Sequence, residues 1–273
     1  MSAVDHVLWI GGPPGSGKTT VARRLARKHG LRLYSTDTRT WDHRDRALAS
    51  NYEPAMRWEA MTPAERRSGD PAEMLRMSLH HERRQMVIDD LEAMPTAPLI
   101  VAEGTCVPAS ASAARPHRAV WLLPSGEFQQ STLAMRSLDR GSLEMYMLLS
   151  QQIVDEARAH RLPTVRVDRT HPLDAVMEAV EDAFSAALTN GPRILAMTDR
   201  RILLREINQA VVAQVRGYYA RPWAAGDADS VIQSFVCECG EAACTAEVST
   251  TVGAAAQPIV AHPFDKRLRH HEA

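Results

Sequence analysis

Gly12-Pro13-Pro14-Gly15-Ser16-Gly17-Lys18-Thr19, followed by Thr20, sets glycines, a lysine and a hydroxyl residue at the spacing GxxxxGK[ST]. Glycines at those points let the backbone curl so that successive N–H groups face one anion. A helix begun at Lys18 adds its positive dipole end beneath them. Lys18 would reach the outer phosphates of a nucleoside triphosphate, and the Thr19 hydroxyl would take a place on Mg²⁺. Pro13 and Pro14 stiffen the loop without asking for acceptors. The apolar runs Val7 to Ile10 before it and Val21 to Leu25 after it supply the strand and helix that a Walker A loop must join. The expectation is a site for a triphosphate and its magnesium; the alternative is a loop that binds nucleotide without chemistry.

The elements that must position this loop are legible as short apolar runs between helical stretches: Val7 to Ile10, Leu31 to Tyr34, Leu99 to Ala102, Ala119 to Leu123 and Thr164 to Val167. Strands alternating with helices predict a three-layer α/β fold on a parallel, five-stranded sheet, the P-loop NTPase arrangement. Thr62-Pro63-Ala64-Glu65 and Asp70-Pro71-Ala72-Glu73 each read as an N-cap, a proline at the first helical position and an acidic third residue. The second of these helices is expected to run to about Ala93. Further helices are expected over Leu143 to Arg161 and Leu173 to Leu188. Asn190-Gly191-Pro192 divides a nucleotide-binding domain, 1–190, from a C-terminal extension, 191–273.

In a doubly wound sheet the carboxyl ends of the strands share one crevice, so residues just past each strand are candidates for the site. Asp37, in Ser35-Thr36-Asp37-Thr38-Arg39, follows the second strand and should face the same crevice as Lys18. In many kinases that this chain resembles, an acidic residue here contacts the acceptor hydroxyl or the Mg²⁺ shell, which implies a base or acceptor-positioning group; its other reading is a helix N-cap. Glu103, ending Leu99 to Glu103, reads as a carboxylate that holds Mg²⁺ through water, or as a buried group paired to arginine. Arg136 and Arg140, four residues apart ahead of Gly141-Ser142, would share a helical face as lid arginines closing over the γ-phosphate, or form a solvated surface. Between Trp41 and Met94 lie Arg44, Arg46, Arg57, Arg66, Arg67, Arg76, Arg83 and Arg84 with Trp41, Trp58, Met56, Met61, Met74 and Met77, side chains able to hold and wall an anionic acceptor, or to serve as core and solvated faces;. Cys106 reads as packing, and Asp168 as a cap for the Leu173 helix.

Other phosphate-loop classes fit less well. The guanine-reading Asn-Lys-x-Asp of Ras-type GTPases is missing from the sequence, and the strand that ends Asp-Glu in AAA machines here ends Glu103-Gly104. With these features, residues 5 to 188 resemble the nucleoside-monophosphate, gluconate and shikimate kinase group. The resemblance implies an ATP-dependent, Mg²⁺-using phosphotransferase acting on a small-molecule hydroxyl or phosphate, with Lys18, Asp37, Glu103, Arg136 and Arg140 as its catalytic set. It also implies adenine packed near the segment after Val167, which favours ATP. A zeta-toxin-like nucleotide-sugar kinase, or a nucleotide-binding regulator whose extension docks a protein partner, stands as the alternative.

The extension opens with Leu203, Ile207, Val211 and Val215 at helical spacing, then a linker-like stretch from Gly217 to Asp229;. Cys237-Glu238-Cys239-Gly240 with Cys244 is CxC-x4-C, resembling a small Cys-containing module of actinobacterial proteins. Bunched thiols point to structural zinc, with His262 as the nearest following fourth ligand and His270 or His271 as substitutes; a reduced cysteine cluster and a redox pair are the other readings.

Lys+Arg 32 against Asp+Glu 33 leaves no global field to recommend nucleic acid or an anionic membrane;. No apolar run approaches membrane-spanning length and the start lacks a secretory pattern, so a cytoplasmic protein is expected.

Overall fold

The computed structural model describes residues 4–136 and 138–261. Five parallel strands, β1 (Val7–Gly11), β2 (Arg32–Ser35), β3 (Ile100–Glu103), β4 (Ala119–Pro124) and β5 (Thr164–Val167), lie in the order β2-β3-β1-β4-β5. This is the five-stranded parallel sheet expected from the apolar runs, each strand placed within a residue or two of its run. Strand periodicity divides the core. Val7 and Trp9 face a layer with Val87, Leu91, Leu149 and Ile153, while Leu8 and Ile10 face Val21, Leu25, Val176, Val180 and Phe184;. The helices that carry those side chains therefore cover both faces, giving three layers.

The helices are α1 (Lys18–His29), α2 (Thr40–Ala49), α3 (Glu53–Ala60), α4 (Pro63–Ser68), α5 (Pro71–Met77), α6 (Glu82–Ala93), α7 (Ala109–Ala113), α8 (Gly126–Ala134), α9 (Arg140–Ala159), α10 (Leu173–Ala183), α11 (Ser185–Asn190) and α12 (Met197–Tyr219). Thr62 and Glu65 form a reciprocal capping box at α4, and the Asp70 side chain accepts from the Glu73 N–H at α5, so both starts lie where their caps put them;. The helix from Asp70 does not run on to Ala93. It stops at Met77, turns through Leu79 at φ +63°, and resumes at Glu82. A left-handed leucine costs on the order of 1 kcal/mol. Leu79 is 1 % exposed, packed with Ala47 and Ala55, and that burial offsets the strain;. The predicted Leu173 helix breaks similarly at Phe184, a fully buried residue outside helical geometry.

The extension is not purely helical. A hairpin, β6 (Ile232–Val236) and β7 (Glu247–Thr251), packs Phe235 with Val252, Ala255 and Ile259 against Val211, Val212 and Val215 of α12. On its other flank α12 sets Leu204 and Ile207 on Leu33, shielding the otherwise open β2 edge of the sheet;. The chain returns to the first domain at several points. The Leu99 N–H donates to the Pro192 carbonyl at 2.8 Å, the Ile194 N–H to the Gly30 carbonyl at 2.8 Å, and Arg32 pairs with Glu206 at 3.0 Å. The stretch expected as a linker docks as well: Arg221 reaches Asp45 at 2.7 Å, and the Trp223 indole N–H donates to Glu59 at 2.6 Å. Among the described residues no helix is long and apolar enough to cross a membrane.

Candidate active site

The loop between β1 and α1 is built as its spacing requires. Gly15 and Gly17 sit at φ +79° and +81°, and Gly17 is the N-cap of α1. The backbone N–H groups of Gly15, Gly17, Lys18, Thr19 and Thr20 find no acceptor among the described residues, so five donors gather at the positive end of a twelve-residue helix;. Lys18 folds over the loop, its Nζ donating to the Pro13 carbonyl at 2.7 Å and to Ser16 Oγ at 3.3 Å. Burial lowers the Lys18 pKa, while the charges of Glu103 and Asp37 work to raise it. Orphaned amides around a buried ammonium fit a polyphosphate.

Glu103 is fully buried at the end of β3. Its two oxygens each lie 3.2 Å from Thr19 Oγ1, and Ser35 Oγ donates to Oε1 at 2.5 Å. No arginine pairs with it among the described residues. Burial, with the nearby charge of Asp37, pushes this carboxyl above its ordinary range;. A hydroxyl and a carboxylate converging at this spacing are a donor set suited to a hard divalent cation and its water. Gly104 follows because the chain turns sharply there at φ +139°, and a Cβ would stand 1.8 Å from Thr36 Oγ1.

Asp37 is not an N-cap. It lies within a short 3₁₀ turn, Thr36–Arg39, exposed at the wall of a cavity of about 600 Å³ that the P-loop also lines. Lys18, Thr19 and Asp37 thus share one cavity, with Glu103 directly behind Thr19. The two arginines expected on one lid face part company. Arg136 follows α8 and lines the cavity; Arg140 begins α9, is 92 % exposed and pairs with Glu144 at 2.7 Å. Gly141 and Ser142, just after the two arginines, form the first turn of α9, capped by Asp139. Gln129 of α8 ties this region down, donating to the Pro14 carbonyl at 2.9 Å and to Ser150 Oγ of α9 at 2.7 Å.

The same cavity is lined by Arg44, Arg66 and Arg83. None has a carboxylate within ion-pair distance among the described residues. Arg44 is 4 % exposed, lies 4.1 Å over the Trp58 ring, donates to the Met77 carbonyl at 2.9 Å, and leaves Nη1 without a partner. Burial, aided by the neighbouring guanidiniums of Arg221, Arg83 and Arg66, brings its pKa down to about 10, against the pull of Glu59. Arg66 sits 3.9 Å from the ring centres of both Trp58 and Trp223. Arg83 is oriented by a relay that sequence reasoning missed. Its Nε–H donates to His43 Nδ1 at 3.2 Å, and its Nη2 reaches the Thr36 carbonyl, next to Asp37. With Nδ1 accepting, the His43 proton is on Nε2, which donates to Asp90 at 3.0 Å; Tyr34 donates to the same oxygen at 2.6 Å. Burial opposes the charge on Asp90, but these bonds prevail and hold it at about 2. Burial also lowers His43, keeping the imidazole neutral.

Cys106 lines the cavity 3.6 Å from His80 Nδ1, yet burial raises the thiol and drives His80 down to about 2, so the pair is neutral and not a thiolate–imidazolium couple. Asp168 does not cap α10, whose N-cap is Pro172; it closes its own turn through Thr170 and His171. Cys237, Cys239 and Cys244 bring their sulfurs within 4.8 Å of one another, away from the cavity. His262, His270 and His271 lie outside the described residues.

Comparison with curated proteins finds no match. A family model described as "AAA domain" matches residues 7–160, in which the phosphate loop, Asp37, Glu103 and Arg136 all fall. The finding supports a P-loop NTPase-like, kinase-related nucleotide-binding domain, although Glu103-Gly104 stands where AAA machines have Asp-Glu. Matched over more than half of its 273 residues, the chain belongs to the AAA domain family.

Proposed function

We propose that the protein is an ATP-dependent kinase that transfers the γ-phosphate to a small anionic acceptor. The observation that carries this reading is one cavity lined both by the phosphate loop, with Lys18, Thr19 and Asp37, and by three arginines without carboxylate partners among the described residues, Arg44, Arg66 and Arg83. Five cationic side chains, Lys18, Arg44, Arg66, Arg83 and Arg136, line it against one carboxylate, Asp37. A magnesium nucleotide engages Lys18 and Arg136. The surplus of Arg44, Arg66 and Arg83 is matched by a second anion, carried by the acceptor, since Glu59 behind them already takes Trp223 and Arg221;.

In this reading Mg²⁺, when bound, neutralises charge on the β- and γ-phosphates, and Thr19 with Glu103 would hold it. Lys18 and the loop amides orient the triphosphate. Asp37 accepts the proton of the acceptor hydroxyl, and Arg136 balances the charge that spreads over the moving phosphoryl group. Met74, Met145, Tyr146 and Leu149, which also line the cavity, exclude water from it;. The alternative of a regulator whose extension serves only to dock a partner finds less support, because Gln214 of that extension lines the cavity and Trp223 backs its wall.

A screen with γ-labelled ATP over matched pairs of neutral and phosphate- or carboxylate-bearing acceptors tests the reading. Transfer is expected to anionic members only and to vanish in Lys18→Ala, whose fold persists. Undiminished transfer in that variant, or preference for the neutral member of each pair, would refute it.

A further inference from the structure

The CxC-x4-C segment takes no part in the cavity, and its geometry asks for an occupant of its own. We propose that Cys237, Cys239 and Cys244 bind zinc and that the metal clasps the C-terminal hairpin onto α1, the helix behind the phosphate loop.

The spacing fits. Tetrahedral zinc with Zn–S bonds of about 2.3 Å holds its sulfurs about 3.8 Å apart. Here all three sulfurs lie within 4.8 Å of one another, from cysteines that form no disulfide. The surrounding protein holds the loop that carries them. Gly240 makes the turn at φ +84°, at a place where a Cβ would stand 2.6 Å from the Met197 carbonyl oxygen. Arginines take the loop carbonyls one after another: Arg27 those of Cys237 and Glu241, Arg201 that of Cys239, and Arg200 that of Gly240. The Ala261 N–H donates to Cys237 Sγ at 3.3 Å, the kind of amide-to-sulfur bond that stabilises a thiolate ligand;.

Charge supplies a second, independent argument. Arg27 and Arg200 are 5 % and 9 % exposed, and neither has a carboxylate within ion-pair distance among the described residues. Arg27 Nη1 instead lies 3.8 Å from Cys239 Sγ. Glu238, the buried carboxylate of the loop, is engaged by Arg205 and Asn208. Neutral thiols would leave two buried guanidiniums without a counter-charge, which is costly. Three thiolates around one Zn²⁺ carry a net charge of −1, which supplies one negative charge beside the pair. Binding releases the three thiol protons to solvent as the Zn–S bonds form, with no change of oxidation state. The small cluster around Phe235 is too slight to stand alone, so a metal that ties the loop to Arg27 of α1 stabilises the extension as a whole;.

The test reads metal and thiols, not catalysis. Full-length protein purified without chelator from zinc-supplied cells is expected to hold one zinc per chain. Its three clustered thiols should resist alkylation until a chelator strips the metal, with Cys106, buried in the core, as the unchanged internal standard. Cobalt in place of zinc should show thiolate-to-metal charge-transfer absorption. Cys244→Ala, at the least buried of the three, is expected to lower zinc occupancy at least tenfold; should it fail to fold, the alkylation pattern of the unaltered protein decides. Absence of bound zinc together with alkylation indifferent to chelator would overturn the proposal, as would iron or copper in place of zinc.

Discussion

Arg44→Met separates a residue kept for a ligand from one kept for the fold. Bringing a guanidinium from its ordinary value down to about 10 means that its charged form is disfavoured in the folded protein by about 3 kcal/mol at neutral pH;. Because the folded value is the lower one, the unfolded chain binds more protons from about 10 up to the ordinary arginine value, and the wild-type protein gains stability as pH rises through that window;. Methionine has similar length and no charge, so the variant escapes that penalty. It forfeits the stacking on Trp58, worth about 1–2 kcal/mol, and the bond to the Met77 carbonyl, worth about 1–2 kcal/mol. These terms nearly cancel, and urea denaturation at pH 7 should place the variant within about 1 kcal/mol of wild type. Acceptor recognition has no such compensation. Removing a buried guanidinium that faces an oxyanion costs about 3–4 kcal/mol, so kcat/KM for the acceptor should fall by about 10²–10³ while the KM for ATP holds. A variant that loses 3 kcal/mol or more of stability and keeps its acceptor kinetics would refute the reasoning, because Arg44 would then be structural.

Glu103→Gln should be at least as stable as wild type at neutral pH in the absence of nucleotide. The unfolded chain ionises near 4.5 and the folded carboxyl above that, so wild type loses stability as pH rises through this interval and the variant does not;. Its Mg²⁺-dependent turnover should drop by about 100-fold, and denaturation curves at pH 4 and pH 8 with matched kinetics check both halves. Arg136→Ala should lower kcat by about 10–100-fold, whereas Arg140→Ala should leave kcat unchanged, since an exposed pair with Glu144 contributes little;. Equal losses in the two variants would restore a shared lid face.

The parts of the molecule legible in its sequence are those that local chemistry dictates. The phosphate loop is encoded within nine residues, and central parallel strands read as apolar runs because both of their faces are covered. Thr62 and Asp70 announce their helices through side chains that cap them. Illegible parts depend on distant partners. Nothing local stops a helix between Met77 and Glu82; the pull on Leu79 comes from Ala47 and Ala55. The relay Asp90–His43–Arg83 joins α2 and α6, and His43 carries no sequence pattern that sets it apart from the other ten histidines. Arg136 and Arg140 satisfy helical spacing, but α8 ends at Ala134 and Asp139 starts a new helix, so the periodicity argument fails where its premise of one helix fails.

The placement of the extension follows from what a carboxylate-free arginine pocket demands. Guanidiniums that must stay available to an anionic ligand cannot be held by Asp or Glu, which would neutralise them. They can be held by carbonyls and aromatic faces, which stabilise the charge and leave it in place. Trp41 and Trp58 of the first domain make only part of such a wall. Tyr218 and Trp223 complete it, with ring centroids 5.6 Å and 6.0 Å from Trp41, and Trp223 stands 5.2 Å from Trp58 and covers Arg66. The approach needs a residue without a side chain on the facing helix: a Cβ on Gly217 would stand 2.9 Å from the Cβ of Trp41. Arg221, held by Asp45 and Glu59, fixes the end of α12 at that spot. The extension that follows the kinase-like domain thus completes the aromatic wall with Tyr218 and Trp223, and a loosely tethered module could not hold the Trp223 ring 3.9 Å from the Arg66 guanidinium.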